Sequence, residues 1–242
     1  MSRDRLALII GAGDATGGAI ARRFAREGFI SCVTRRKKES LSALVASIEA
    51  DGGKALAFGC DARSEEATSQ LFEALEREFG DIDVVVFNIG ANVHFSITET
   101  TERVYRKVWE MGALAGFLAG REAAKVMLAR KRGTIIFTGA TASVRGGSGF
   151  SAFASAKFAL RALAQSMARE LGPQGIHVAH TIIDGAIDTD FIRSTFPETY
   201  ARKEQGGILN PEHIAEQYWQ LHQQARDCWT HELDLRPWME TF

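Results

Sequence analysis

The chain has 242 residues, 45% of them hydrophobic and 24% charged, enough for one domain with a sizeable core. Its 29 Lys and Arg nearly balance 30 Asp and Glu, a formal charge of -1, so no global field would gather nucleic acid or an anionic membrane. No apolar run reaches the roughly 18 residues that span a bilayer, and Cys32, Cys60 and Cys228 show no CxxC spacing for a disulfide framework or a zinc site, so no bound metal is expected. These features imply a cytoplasmic protein with reduced thiols, working without nucleic acid or membrane.

Taken in chain order, Leu6 to Ile10 reads as a strand that stops at Gly11. After a glycine-rich turn, Ile20, Ala21, Phe24 and Ala25 recur at helical spacing until Gly28. The cycle repeats with a strand from Ile30 to Thr34, a helix face at Leu41, Leu44, Val45 and Ile48, and a strand from Ala55 to Phe58. Leu71, Phe72, Leu75 and Phe79 mark the next helix. The run Asp83 to Phe87 is too continuously apolar for a half-exposed strand and suits a central parallel one. A long helical stretch from Thr101 to Arg130 follows, then a strand from Thr134 to Phe137, a helix through Phe158, Leu163 and Met167, and a strand from Ile176 to Ile183. Asn210-Pro211-Glu212 pairs an N-cap with a proline at the first helical position, and Leu233 to Phe242 forms a last strand and tail. Alternating strands and helices imply an α/β fold with a single doubly wound parallel sheet, Rossmann-type, spanning 1–242 as one dinucleotide-binding domain.

The turn Gly11-Ala-Gly-Asp-Ala-Thr-Gly17 joins the first strand to the first helix, where free N–H groups and the helix dipole favour a pyrophosphate. A tight structural turn would also need these small residues. Read onward to Gly28, the segment resembles the opening of the short-chain dehydrogenase/reductase family, whose turn is Thr-Gly-x-x-x-Gly-x-Gly. Gly11 and Gly17 match its first and third glycines, Ile10 stands for the threonine and Ala15 for the middle glycine.

The resemblance implies cofactor contacts from Gly11, Gly13, Asp14, Ala15 and Gly17 in this turn. It places Asp61, followed by Ala62, where the family keeps an aspartate on the adenine; as an alternative, Asp61 would cap the helix that starts near Ser64. Asn88-Ile-Gly90 resembles the end of the family's Asn-Asn-Ala-Gly motif. Thr189 falls on a threonine that touches the nicotinamide amide or diphosphate, with Asp184 in place of the usual proline before Gly185. An acid at the end of the second strand selects NAD, whereas arginine pairs with the 2'-phosphate of NADP. Arg35 and Arg36 stand there, so NADP is expected, with NAD the alternative. Asp14 dissents, unless it pairs with one of the two arginines.

Members of the family reduce carbonyls or oxidise alcohols with a tetrad of Asn, Ser, Tyr and Lys, the last two spaced Tyr-x-x-x-Lys. Here the spacing survives as Phe153-Ala-Ser-Ala-Lys157, the serine position falls on Ala140 with Thr141 beside it, and the asparagine position falls on Ala113. Lys157 is expected to hold the nicotinamide ribose. Phenylalanine cannot move a proton, so the catalytic candidates beside Lys157, Phe153 and Ala140 are Thr141, Asp184 and His94, with His180 and Ser143 behind them. The chain therefore reads as an NAD(P)-dependent oxidoreductase with a degenerate tetrad, acting on a small-molecule carbonyl or alcohol. The alternative is a catalytically inactive dinucleotide-binding or scaffold protein. Residues 190–207 sit where such proteins carry a substrate lid, and the family resemblance implies a homodimer or homotetramer.

Overall fold

The computed structural model describes residues 3–241. Seven strands, β1 (Arg5–Ile10), β2 (Ile30–Arg35), β3 (Lys54–Gly59), β4 (Asp81–Phe87), β5 (Gly133–Thr138), β6 (Ile176–Ile183) and β7 (Glu232–Leu235), form one sheet in the order β3-β2-β1-β4-β5-β6-β7. Every neighbouring pair is parallel. Helices cover both faces, which is why β6 is buried at all eight positions and β4 at six of seven.

One face packs Ile20 and Phe24 of α1 (Thr16–Arg26), Leu44 and Ile48 of α2 (Ser42–Ala50), and residues of a C-terminal helix against Ile9, Val33 and Val84. The opposite face takes Leu71, Phe72 and Leu75 of α3 (Glu65–Glu78) and small residues of two long helices further on. Ser64 caps α3, accepting from the Ala67 amide at 3.2 Å. Asp61 is therefore not the cap: its carboxylate takes the Arg63 guanidinium at 2.6 and 2.9 Å and the Arg63 amide at 3.2 Å.

The helical stretch expected from Thr101 to Arg130 runs from Glu102 to Leu128, with a change of helix type in its middle. α4 (Glu102–Trp109) passes through a wide π-turn at Glu110–Leu114 into α5 (Ala115–Leu128). Gly112 in that turn lies so close to the next long helix, α6 (Ser151–Leu171), that a Cβ would come within 3.0 Å of the Ala156 Cβ. After β6 come two short helices, α7 (Asp190–Thr195) and α8 (Pro197–Tyr200), then α9 (Pro211–Gln223). The Asn210 side chain caps α9, accepting from the Glu212 amide at 2.8 Å. Of the strand and tail expected from Leu233 to Phe242, the strand is β7, which begins at Glu232 and ends at Leu235, ahead of Pro237, which has no N–H for a ladder. Phe242 lies outside the described residues. No helix among the described residues is long and apolar enough to cross a membrane.

Candidate active site

A cleft of about 1000 Å³ opens at the C-terminal ends of the strands, where a doubly wound sheet places its ligands. Its floor at one end is the β1–α1 turn, with Gly11, Gly13, Asp14, Ala15 and Gly17 in the wall. Gly11 has φ +89°, and a Cβ there would meet the Asn88 carbonyl oxygen at 2.9 Å, so the chain can pass β4 this closely only without a side chain. Asn88 secures the approach, its Nδ2 donating to the Gly11 carbonyl at 3.1 Å. Ala15, at the N-cap of α1, provides no side-chain acceptor for the first turn of the helix. The helix N-terminus thus keeps its backbone donors for a ligand, and an anionic diphosphate fits that donor set.

Arg35, at the end of β2, lines the same end of the cleft, and one of its guanidinium nitrogens would be 3.4 Å from a Cβ on Gly13. Arg36 is exposed and outside the lining; half-buried Asp61 and buried Ala62 lie outside the lining as well. Arg63 draws the Asp61 carboxyl below the usual carboxylate range, with Arg36 adding to the effect. Among the described residues Asp14 makes no ion pair with Arg35 or Arg36, so the expected pairing is absent. Arg22 of α1 also reaches the cleft and bonds Glu212 at 3.3 and 3.4 Å, tying α1 to the start of α9.

Further along, Asn88, Ile89 and Gly90 bring the wall to Lys157. Lys157 is buried, and its Nζ donates to the Thr138 carbonyl at 2.8 Å and the Ile89 carbonyl at 3.3 Å. An ammonium has three N–H donors, so one remains for the cleft. Burial pushes the Lys157 ammonium down to about 8. One turn earlier on α6, the Phe153 ring lies 5.9 Å from Nζ and closes the wall with carbon. Ala140 faces the cleft as well, and its amide donates to Ser143 Oγ at 3.1 Å. Ala113 is buried in the π-turn, outside the cleft lining.

Thr141 lines the cleft, and its hydroxyl donates to Asp184 Oδ1 at 2.5 Å. Asp184 itself is buried behind the wall, with Arg145 at 3.6 Å and Arg236 at 3.5 Å. His94 is exposed outside the lining, its ring set edge-on to Phe150 with centroids 4.8 Å apart. His180 is fully buried, pushed down to about 4 by burial, and bonded to Glu232 at 3.2 Å. Thr189 lines the cleft while its hydroxyl caps α7, accepting from the Ile192 amide at 3.1 Å. From 190–207, Asp190 and Phe191 reach the cleft, and Phe191 packs edge-on against Phe196 with centroids 6.0 Å apart. The sequence reading missed Arg22, Asn92, Arg145, Phe150 and Glu212, all of which line the cleft. Only Glu212 carried a local signal, through the Asn-Pro-Glu cap.

The fold and cleft define a nucleotide-binding α/β protein with its site on the carboxyl edge of a parallel sheet. The family described as short chain dehydrogenase matches residues 5–199. A short-chain dehydrogenase/reductase of Armillaria gallica is 34% identical over 181 residues, 74% of this chain and 69% of that one. The crystal structure of a short-chain dehydrogenase from Rhodopseudomonas palustris superposes with a TM-score of 0.84 at 50% identity, covering 98% of this chain and 100% of that one. A metagenomic short-chain oxidoreductase solved in complex with NADP shares the fold, with a TM-score of 0.80 at 24% identity over 98% of each chain. The chain belongs to the short-chain dehydrogenase family, whose members are nicotinamide-dinucleotide-dependent oxidoreductases.

Proposed function

We propose that the protein is an NADP-linked oxidoreductase whose substrate is a small carbonyl or alcohol, working without the tyrosine, serine and asparagine of its family's tetrad. The observation that carries this reading is the continuity of the cleft, which runs from the uncapped α1 N-terminus and Arg35 to the buried Lys157 without a break. Gly11, Gly13, Asp14, Ala15 and Gly17 would hold the diphosphate, and Arg35 with Arg36 the 2'-phosphate. Asp61 and Ala62 would border the adenine, Asn88 and Gly90 the adjoining ribose, and Thr189 the nicotinamide end. Lys157 would hold the nicotinamide ribose with its remaining N–H. The metagenomic relative that carries NADP supports the choice of cofactor.

When bound, the nicotinamide supplies a hydride acceptor or donor. The chain's own contribution is to orient it and to shield the reacting carbon from water with Phe150 and Phe153. A second reading, a dinucleotide-binding protein without turnover, is favoured by Phe153, Ala140 and Ala113. The large apolar side chains left 41–42% exposed on α4, α5 and α6, namely Trp109, Phe117 and Phe158, fit a homodimer or homotetramer. Equilibrium sedimentation would test that state. A lid made from residues 190–207 is likewise part of this reading.

Calorimetric titration with NADPH and NADH tests the cofactor assignment. Charge-assisted bonds from two arginines to the 2'-phosphate are worth about 1.5–3 kcal/mol, so NADPH should bind at least tenfold more tightly. Arg35→Ala with Arg36→Ala should erase the difference. Equal affinities in the wild type would remove NADP from the proposal.

A further inference from the structure

We infer that Thr141 and Asp184 are the proton-transfer pair of this cleft, and that its substrate is an alcohol taken in the oxidising direction. The inference rests on the dinucleotide reading above and adds a proton route and a direction to it.

The sheet itself builds the pair. Thr138 and Thr181 are the last residues that β5 and β6 pair with each other, and Thr141 and Asp184 each lie three residues beyond them. Both chains leave the sheet at the same edge, so the hydroxyl and the carboxylate meet at 2.5 Å. Asp184 is 2% exposed and Thr141 stands in the cleft wall, so the hydroxyl is the carboxylate's contact with the cleft.

A threonine hydroxyl has one proton and two lone pairs. The proton goes to Asp184, which leaves the oxygen as an acceptor toward the cleft. An acceptor complements a substrate that brings its own O–H, and a ketone oxygen brings none. Of the neighbouring wall positions, Ala140 and Phe153 present carbon to the substrate oxygen; the nearest lining donors are Lys157, whose remaining N–H is assigned to the ribose, and Arg145, whose guanidinium lies 3.6 Å from Asp184. Reduction would require Thr141 to turn away from Asp184 or the carboxylate to be loaded with a proton beforehand. Oxidation uses the pair as it stands.

In the forward step the substrate's O–H proton passes to Thr141 Oγ1 while Thr141 passes its own proton to Asp184 Oδ1. The carbinol C–H bond breaks, its hydrogen leaving with the electron pair to the oxidised nicotinamide dinucleotide, and the C=O bond forms. Once the carbonyl product has left, Asp184, now a carboxylic acid, returns a proton to Thr141 Oγ1 as Thr141 passes its own to water in the cleft. The other polar candidates do not compete: His94 is exposed outside the cleft, and His180 is closed off beneath Gly139, where a Cβ would sit 2.4 Å from its Nε2.

The test uses the complete chain with NADP+ and the probe 2,2,2-trifluoroethanol, an alcohol too electron-poor to give up hydride readily. Titration of the wild-type binary complex should show saturable binding. Thr141→Val, which keeps the shape, should weaken it at least about tenfold, and Thr141→Ser, which keeps the hydroxyl, should restore it. Cyclohexanol should displace the probe at lower concentration than cyclohexanone. A second readout needs no cofactor: a downfield hydroxyl proton in the NMR spectrum of the free protein, lost in both Thr141→Val and Asp184→Asn. Binding that Thr141→Val leaves unchanged, no saturable binding to the wild-type complex, or equal displacement by the ketone overturns the inference. Failure of NADP+ itself to bind overturns the dinucleotide reading instead, and the two failures are read in separate titrations.

Discussion

Phe153 shows how one residue decides which chemistry a helix can support. It keeps the place and size of the aromatic ring, one turn from Lys157, and lacks the oxygen that would carry a proton. Phe153→Tyr alone should raise NADPH-dependent reduction of generic aldehydes and ketones only slightly, because Ala140 offers the new phenol no partner. The double variant Phe153→Tyr with Ala140→Ser should exceed the product of the single effects, and up to about 10²-fold over wild type, since groups that act as a unit are not additive. Steady-state assays of the four proteins decide the point, and equal rates in all four would contradict it. Gly11 supports a second expectation at this scale. Gly11→Ala combines a left-handed backbone with a 2.9 Å approach to the Asn88 carbonyl, so it should cost about 2 kcal/mol or more in urea denaturation.

At the scale of the element, caps and strand ends were legible in the sequence because their signals are local. Asn210-Pro211 announces α9, and the strand read from Ile176 to Ile183 matches β6 residue for residue. The π-turn at Glu110–Leu114 was not legible, since its residues are ordinary helix formers and the glycine within it answers to Ala156 on a distant helix. The Thr141–Asp184 bond was hidden for a similar reason: both residues could be suspected singly, but only the register of β5 on β6 joins them. Arg145 gave no sequence signal at all. Its place in the wall follows from the 3₁₀ turn that Thr141 begins, where the Arg145 amide donates to the Thr141 carbonyl at 3.1 Å. For α9, Asn210→Ala removes the acceptor for the Glu212 amide and should lower stability by about 1 kcal/mol, with Asn210→Asp retaining it. Thermal or urea unfolding of the two variants measures the difference. Identical midpoints would mean that the cap adds nothing to the helix.

For the whole molecule, acid should weaken the fold well above the range in which carboxylates titrate. Burial pushes both His180 and His222 down to about 4. In the unfolded chain the same imidazoles take up protons near 6.5. Between those limits the unfolded state binds more protons than the folded one, so stability rises with pH across this window and is lost as pH falls through it. The unfolding midpoint should therefore drop from pH 7 to pH 5. His180→Gln with His222→Gln should flatten that dependence, and a wild-type midpoint that is level from pH 7 to 5 would contradict the assignment.

The position of β7 has a consequence for how the protein is made. β6 is buried along its full length, yet one of its two hydrogen-bonding sides is covered only by Glu232–Leu235. During synthesis β7 emerges after every other strand. Until it does, the growing chain presents an open strand edge, with Val178, Ala179, Ile182 and Ile183 among its residues, of the kind that recruits other polypeptides. The same late segment brings Glu232, which receives Arg161 through two bonds of 2.6 Å and also meets His180. A ribosome that stalls before Glu232 therefore leaves a nearly finished sheet with an adhesive margin for chaperones to cover.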